Sequence, residues 1–83
     1  MINTDLRKTL AQNIKTYRKI LNLTQENLAE SVGLSVQMIA DIESCRTWIS
    51  DKTLVKIAES LQTTVSKLFL ENQVEAKKLI FCR

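Results

Sequence analysis

Apolar residues return along this chain at three- and four-residue steps for most of its length. Leu6, Leu10, Ile14, Tyr17 and Leu21 form one such stripe, widened by Ile20. That spacing gathers side chains on one face of a helix and predicts a first helix from near Leu6 to about Leu21. Thr4 or Asp5 is placed to cap it, and Asn22 suits a left-handed stop at its end. Thr24 then precedes Gln25, Glu26 and Asn27, so its hydroxyl can cap a second helix. With Asn27 rather than Glu at the third position, this reads as a partial capping box. Leu28, Ala29 and Val32 form the inner face of the second helix. Gly33 follows, where a positive φ is easiest for glycine, and Leu34 turns inward. Ser35 caps a third helix from Val36 to about Ser44, with Ile39 and Ile42 inside and Met38 flanking them. Cys45 to Ser50 reads as a loop. Ser50 or Asp51 caps a fourth helix whose Leu54, Ile57, Ala58 and Leu61 face inward. Gln62, Thr63 and Thr64 break the pattern, and Val65, Leu68 and Phe69 mark a short fifth helix ending near Leu70.

Composition supports this all-α reading. There is no proline and one glycine, which favours helix almost throughout. The 83 residues suffice for one domain with one modest core. Residues 1–71 are expected to form that compact bundle of about five helices, and 72–83 an appendage, a possible dimerisation element. The appendage carries Val74, Leu79, Ile80 and Phe81, apolar side chains that need a partner. No apolar run approaches a membrane span and no apolar signal region opens the chain, so a soluble cytoplasmic protein without a membrane partner is expected.

Charge adds a direction. The net charge is +3, and the first helix holds Arg7, Lys8, Lys15, Arg18 and Lys19 against Asp5 alone. Lys77, Lys78 and Arg83 lie in the tail, while acids dominate the middle. An anionic partner and a merely solvated basic face both fit that asymmetry. Histidine is absent, and Cys45 and Cys82 form no CxxC pair, so a usual closed zinc site cannot be built. Neutral thiols are the plain reading; a redox switch at Cys45 is the alternative. No activated nucleophile or acid–base pair stands out, so neither catalysis nor a cofactor is expected.

The unit from Gln25 to Ser44 points to a use. Ala29 is small enough to let the following helix pack close at a steep angle. Gly33 permits the tight turn and Leu34 fills the space beneath it. Ile39 and Ile42 anchor the third helix from below and leave its other face free. This is a helix-turn-helix pattern. With Tyr17-Arg18 before it, Glu43 at its end and Leu54 to Leu61 beyond, the stretch resembles the Cro/cI-type (XRE family) helix-turn-helix regulators of lambda-repressor-like fold. The likeness covers about residues 6–70. The chain departs from the family at Cys45, where glycine is common, and at Ile49, where proline is frequent. The shape of the loop after the third helix is therefore open.

The resemblance implies roles residue by residue. Ser35, Val36, Gln37, Ala40 and Asp41 occupy the positions that face bases. Gln37 can bind adenine in a bidentate manner and Val36 can meet a thymine methyl, while Asp41 could accept from cytosine or be an ordinary solvated residue. Gln25 would touch a phosphate from a helix N-terminus and brace the reading helix. No Lys or Arg lies between Val36 and Ser44, so phosphate contacts fall to Lys15, Lys19, Gln25, Arg46 and Thr47, with Lys52 a further option. Arg18 and Glu43 would form a semi-buried structural ion pair. Trp48 either roofs the core or meets a second protomer or a sugar–phosphate edge. Trp48, Phe69, Leu79, Ile80 and Phe81 are the candidate dimer contacts.

The expected function is a DNA-binding transcriptional regulator, a repressor that binds a palindromic operator in double-stranded DNA as a homodimer. Its rival is a protein-interaction module of the same fold, with a toxin or polymerase as a possible partner, for which the acidic pair Asp41 and Glu43 gives some footing.

Overall fold

The computed structural model describes residues 4–70. Five helices follow one another among them: α1 Thr4–Ile20, α2 Gln25–Val32, α3 Val36–Glu43, α4 Asp51–Ser60 and α5 Val65–Leu68. The expected appendage, with Leu79, Ile80, Phe81 and Cys82, lies outside the described residues, as do the side chains of Thr4 and Asp5.

Helices α2 to α5 each begin at a side-chain cap near where the pattern predicts a boundary. Ser35, Ser50 and Thr64 sit at extended N-cap positions and accept from the backbone N–H three residues on, satisfying donors that the helix itself cannot. The box at α2 is complete rather than partial. Asn27 N–H donates to Thr24 Oγ1 at 2.9 Å, and Thr24 N–H donates to Asn27 Oδ1 at 3.1 Å. The shorter amide thus does the work expected of Glu. Left-handed residues end four segments: Asn22 (φ 59), Gly33 (φ 75), Cys45 (φ 62) and Gln62 (φ 59).

Inside, α2 packs on α3 and α4, α1 lies across α3 and α5, and α4 meets α5. Leu28, Ile39, Ile57, Leu61, Ile14 and Leu68 are almost fully enclosed at the centre. Burying one such side chain contributes roughly 1.5–3 kcal/mol. Leu6 departs from its expected stripe and is 48% exposed. It sits in the first turn of α1, ahead of the buried stretch that begins at Leu10, where none of the described residues encloses it. Val65 and Phe69 are partly buried edges of the core, and Phe69 caps α5 rather than extending it.

Asn13 is a buried polar residue that periodicity alone does not flag as special, at 1% exposure. Its Nδ2 donates to Leu68 O at 2.6 Å and to Leu70 O at 2.8 Å. Both carbonyls belong to the last turn of the fold, where helix geometry leaves acceptors unused. One amide therefore joins α1 to the end of α5.

Candidate nucleic-acid interface

The corner between α2 and α3 sets where the third helix lies. Leu34 N–H donates to Ala29 O at 2.9 Å, closing the end of α2 around the left-handed Gly33. A Cβ built on Gly33 would meet nothing within 4 Å. The position thus needs glycine for its backbone conformation and not for space. Ala29 is 2% exposed beside it, and Leu34 packs partly buried against the core.

At its far end α3 is clamped. Arg18 Nε donates to Glu43 Oε2 at 2.7 Å and Nη2 to Oε1 at 3.0 Å, a two-pronged pair. The third guanidinium nitrogen, Nη1, donates to Leu23 O at 2.8 Å. Gln25 Nε2 adds a bond to Glu43 Oε1 at 3.1 Å. The two charged side chains are only 10% and 3% exposed. Four hydrogen bonds therefore join α1, the turn after it, the start of α2 and the end of α3. Gln25 meets α3 through Glu43, its last residue.

The outer surface of α3 is open by contrast. Val36 and Met38 are each 40% exposed, and Gln37 is exposed between them. Ala40 and Asp41 are half-buried one turn further on. Ser35 uses its hydroxyl to accept from Met38 N–H at 3.1 Å, so its acceptor role is committed to the cap. Gln37 Nε2 donates to Asp41 Oδ1 at 2.9 Å, and Arg46 Nη1 stands 3.9 Å from the same oxygen. Asp41 is therefore answered within the protein by an amide and a guanidinium. Ser44 closes the row, its hydroxyl donating to Ala40 O at 2.6 Å.

The loop after α3 keeps its turn without glycine. Cys45 adopts the left-handed conformation, and its thiol stands 3.6 Å from Arg7 O. Ile49 is buried where the family often has proline. Trp48 does not roof the core: it is 47% exposed, with the Arg7 guanidinium 5.5 Å from its ring centroid. A cation over an indole face is a favourable electrostatic contact. Thr47 is half-buried, and its hydroxyl donates to Trp48 O at 3.3 Å.

Of the expected phosphate contacts, Lys19 is exposed and Lys15 half-buried one turn before it, and neither forms an ion pair among the described residues. The structure thus brings Gln37, Asp41 and Arg46 into one group and Arg18, Gln25 and Glu43 into another, with the lysines outside both. The Gln37–Asp41 contact was open to sequence reasoning through its i, i+4 spacing. Arg7 over Trp48 joins segments about forty positions apart in a chain with no pattern linking them, and nothing in the sequence signals it.

Residues 14–68 match the helix-turn-helix family model HTH_3. Over 64 residues the chain is 41% identical to control protein C.SmaI of Serratia marcescens, a stretch that covers 77% of this chain and 76% of that protein. The restriction-modification controller protein C.AhdI from Aeromonas hydrophila superposes with a TM-score of 0.74 at 27% identity, over 81% of this chain and 100% of that one. The biofilm master regulator SinR, solved in complex with DNA, gives 0.67 at 32% identity, over 71% of this chain and 95% of that one.

Proposed function

Because the chain belongs to the helix-turn-helix family of Cro/cI-type DNA-binding transcription regulators, we propose that it represses, as a cytoplasmic homodimer, from a palindromic operator. Each protomer would set α3 in the major groove, with half-sites about one helical turn, roughly 34 Å, apart. One observation carries this reading. The helix is locked from beneath by the Arg18–Glu43–Gln25 clamp while Val36, Gln37 and Met38 stay open on its outer surface. A rigidly held face with exposed apolar groups and an amide that keeps part of its hydrogen-bonding capacity suits readout of base edges.

Lys19, Lys15 and Arg46 would supply the phosphate attraction, with Gln25 and Thr47 adding polar contacts. Doubling compensates for a short reading helix that carries no basic residue of its own. Trp48 and Phe69, both reachable by solvent in the single chain, together with Leu79, Ile80 and Phe81 would form the dimer contacts. The likeness to the control protein C.SmaI and to the restriction-modification controller C.AhdI favours control of a restriction–modification operon as the setting. The acidic footing for a pure protein-interaction module is weakened, since Glu43 is enclosed by Arg18 and Asp41 is paired with Gln37 and Arg46.

The test is a footprint on DNA upstream of the protein's own gene, repeated across a salt series. A symmetric protected site and a steep loss of affinity with salt are expected. Binding without any sequence preference at low salt overturns the reading.

A further inference from the structure

We propose that Asp41 is a positioning residue for Gln37: it holds the Gln37 amide in one orientation, so that the side chain meets DNA with its oxygen and one amide hydrogen and selects adenine. The inference rests on the DNA-reading function above and adds a specificity device to it.

The chemistry of the pair fixes the orientation. A glutamine amide has an oxygen end and an NH2 end that can exchange by a half-turn about one bond. A carboxylate oxygen accepts hydrogen bonds and donates none. With Asp41 Oδ1 2.9 Å from the amide, the NH2 end must face it, because the flipped amide would set oxygen against oxygen. Asp41 is itself held. Arg46 Nη1 lies 3.9 Å from that same Oδ1, and the aspartate side chain is 29% exposed against 72% for the arginine. Since Gln37 and Asp41 are one turn apart on a helix whose carboxyl end is clamped, the contact needs no rearrangement on approach to DNA.

The base preference follows from what the pair leaves unused. Gln37 Oε1 has no donor among the described residues and keeps its lone pairs, and Nε2 retains one hydrogen. In the major groove adenine offers an amino donor beside the N7 acceptor, which answers both atoms. Cytosine offers the amino donor alone and satisfies only the oxygen. Guanine and thymine present O6 with N7, or O4, so their acceptors would face Oε1. An unrestrained glutamine could flip to suit guanine; Asp41 forbids that. The aspartate thereby acts on specificity without touching a base, and Arg46 stands within ion-pair distance of its charge.

The experiment measures affinity of the full chain for its footprinted operator with each of the four base pairs placed at every half-site position. Wild type, Asp41→Asn, Gln37→Ala and the double variant are compared at one salt concentration. Wild type should show one position at which adenine is preferred to guanine by about tenfold, as a good two-bond contact implies. Gln37→Ala should abolish that preference. Asp41→Asn, which can accept or donate, should let the amide flip and cut the preference at the same position to about twofold, with other positions unchanged. In the Gln37→Ala background, Asp41→Asn should add nothing, the coupling expected of a residue that acts through its neighbour. Matching thermal unfolding of the four proteins shows that the fold is intact. A full adenine preference in Asp41→Asn overturns the proposal, and so does loss of preference at a different base pair, which would make Asp41 a direct reader. No base preference anywhere in wild type instead removes the DNA-reading function, and this inference with it.

Discussion

The two ends of α3 are built on opposite plans. Its amino end is joined to α2 through one glycine corner and one serine cap, and its side chains there face outward. Its carboxyl end is tied through Glu43 by three hydrogen bonds to Arg18 of α1 and Gln25 of α2, with a nearly enclosed ion pair at the centre and Arg18 itself held by Leu23 O. Placement and presentation are thus divided between the ends. The corner sets the direction of the helix, the far end fastens it to α1 and α2, and the side chains of the near end face outward.

The largest test breaks the clamp. Glu43→Ala leaves the Arg18 guanidinium buried without its carboxylate and should cost on the order of 3–5 kcal/mol of stability in denaturant unfolding. Gln25 would lose its acceptor in the same stroke. A loss below about 1 kcal/mol would place the pair with weakly contributing surface bridges and dissolve the contrast between the ends.

A smaller effect is expected at the corner. Gly33→Ala meets no steric obstacle, so its cost is that of a left-handed backbone alone, about 1–2 kcal/mol. Thermal unfolding measures it, and a cost comparable to that of Glu43→Ala would show the near end to be as tightly determined as the far one.

The smallest effect sharpens the comparison. Cys45 already sustains the left-handed conformation just beyond the clamp. In Cys45→Gly, relief of that strain is largely offset by the greater freedom of glycine in the unfolded chain. Stability should then change by no more than about 0.5 kcal/mol, on the favourable side. A marked loss would mean that the thiol's place beside Arg7 O holds the loop.

Much of this was legible beforehand because apolar spacing and caps are local signals. Leu28, Ile39, Ile57 and Leu61 are enclosed where the stripes put them, and Ser35 and Ser50 cap where the turns predict. What escaped was of two kinds. Leu6 fits the period of α1 but lies in its uncovered first turn, a matter of which neighbours arrive and not of spacing. Asn13 shares the inner face with Leu10, Ile14 and Tyr17, yet a polar residue there gains its meaning only from carbonyls supplied far along the chain. At the candidate interface the residues of the outer face could be named in advance. Their internal bonds could not, because whether Asp41 turns to a base, to water or to Gln37 depends on where Arg46 comes to rest.

Asn13 has a consequence for the order of events as the chain is made. Its amide must wait for carbonyls 55 and 57 positions later before its own burial is compensated. A nascent chain that has emerged only through α4 can form local helices, but it would enclose that amide without acceptors. Closing so long a loop carries an entropic cost that the final contacts must meet. The bundle is thereby biased to shut as one event once α5 and Leu70 have emerged, with that turn acting as its latch.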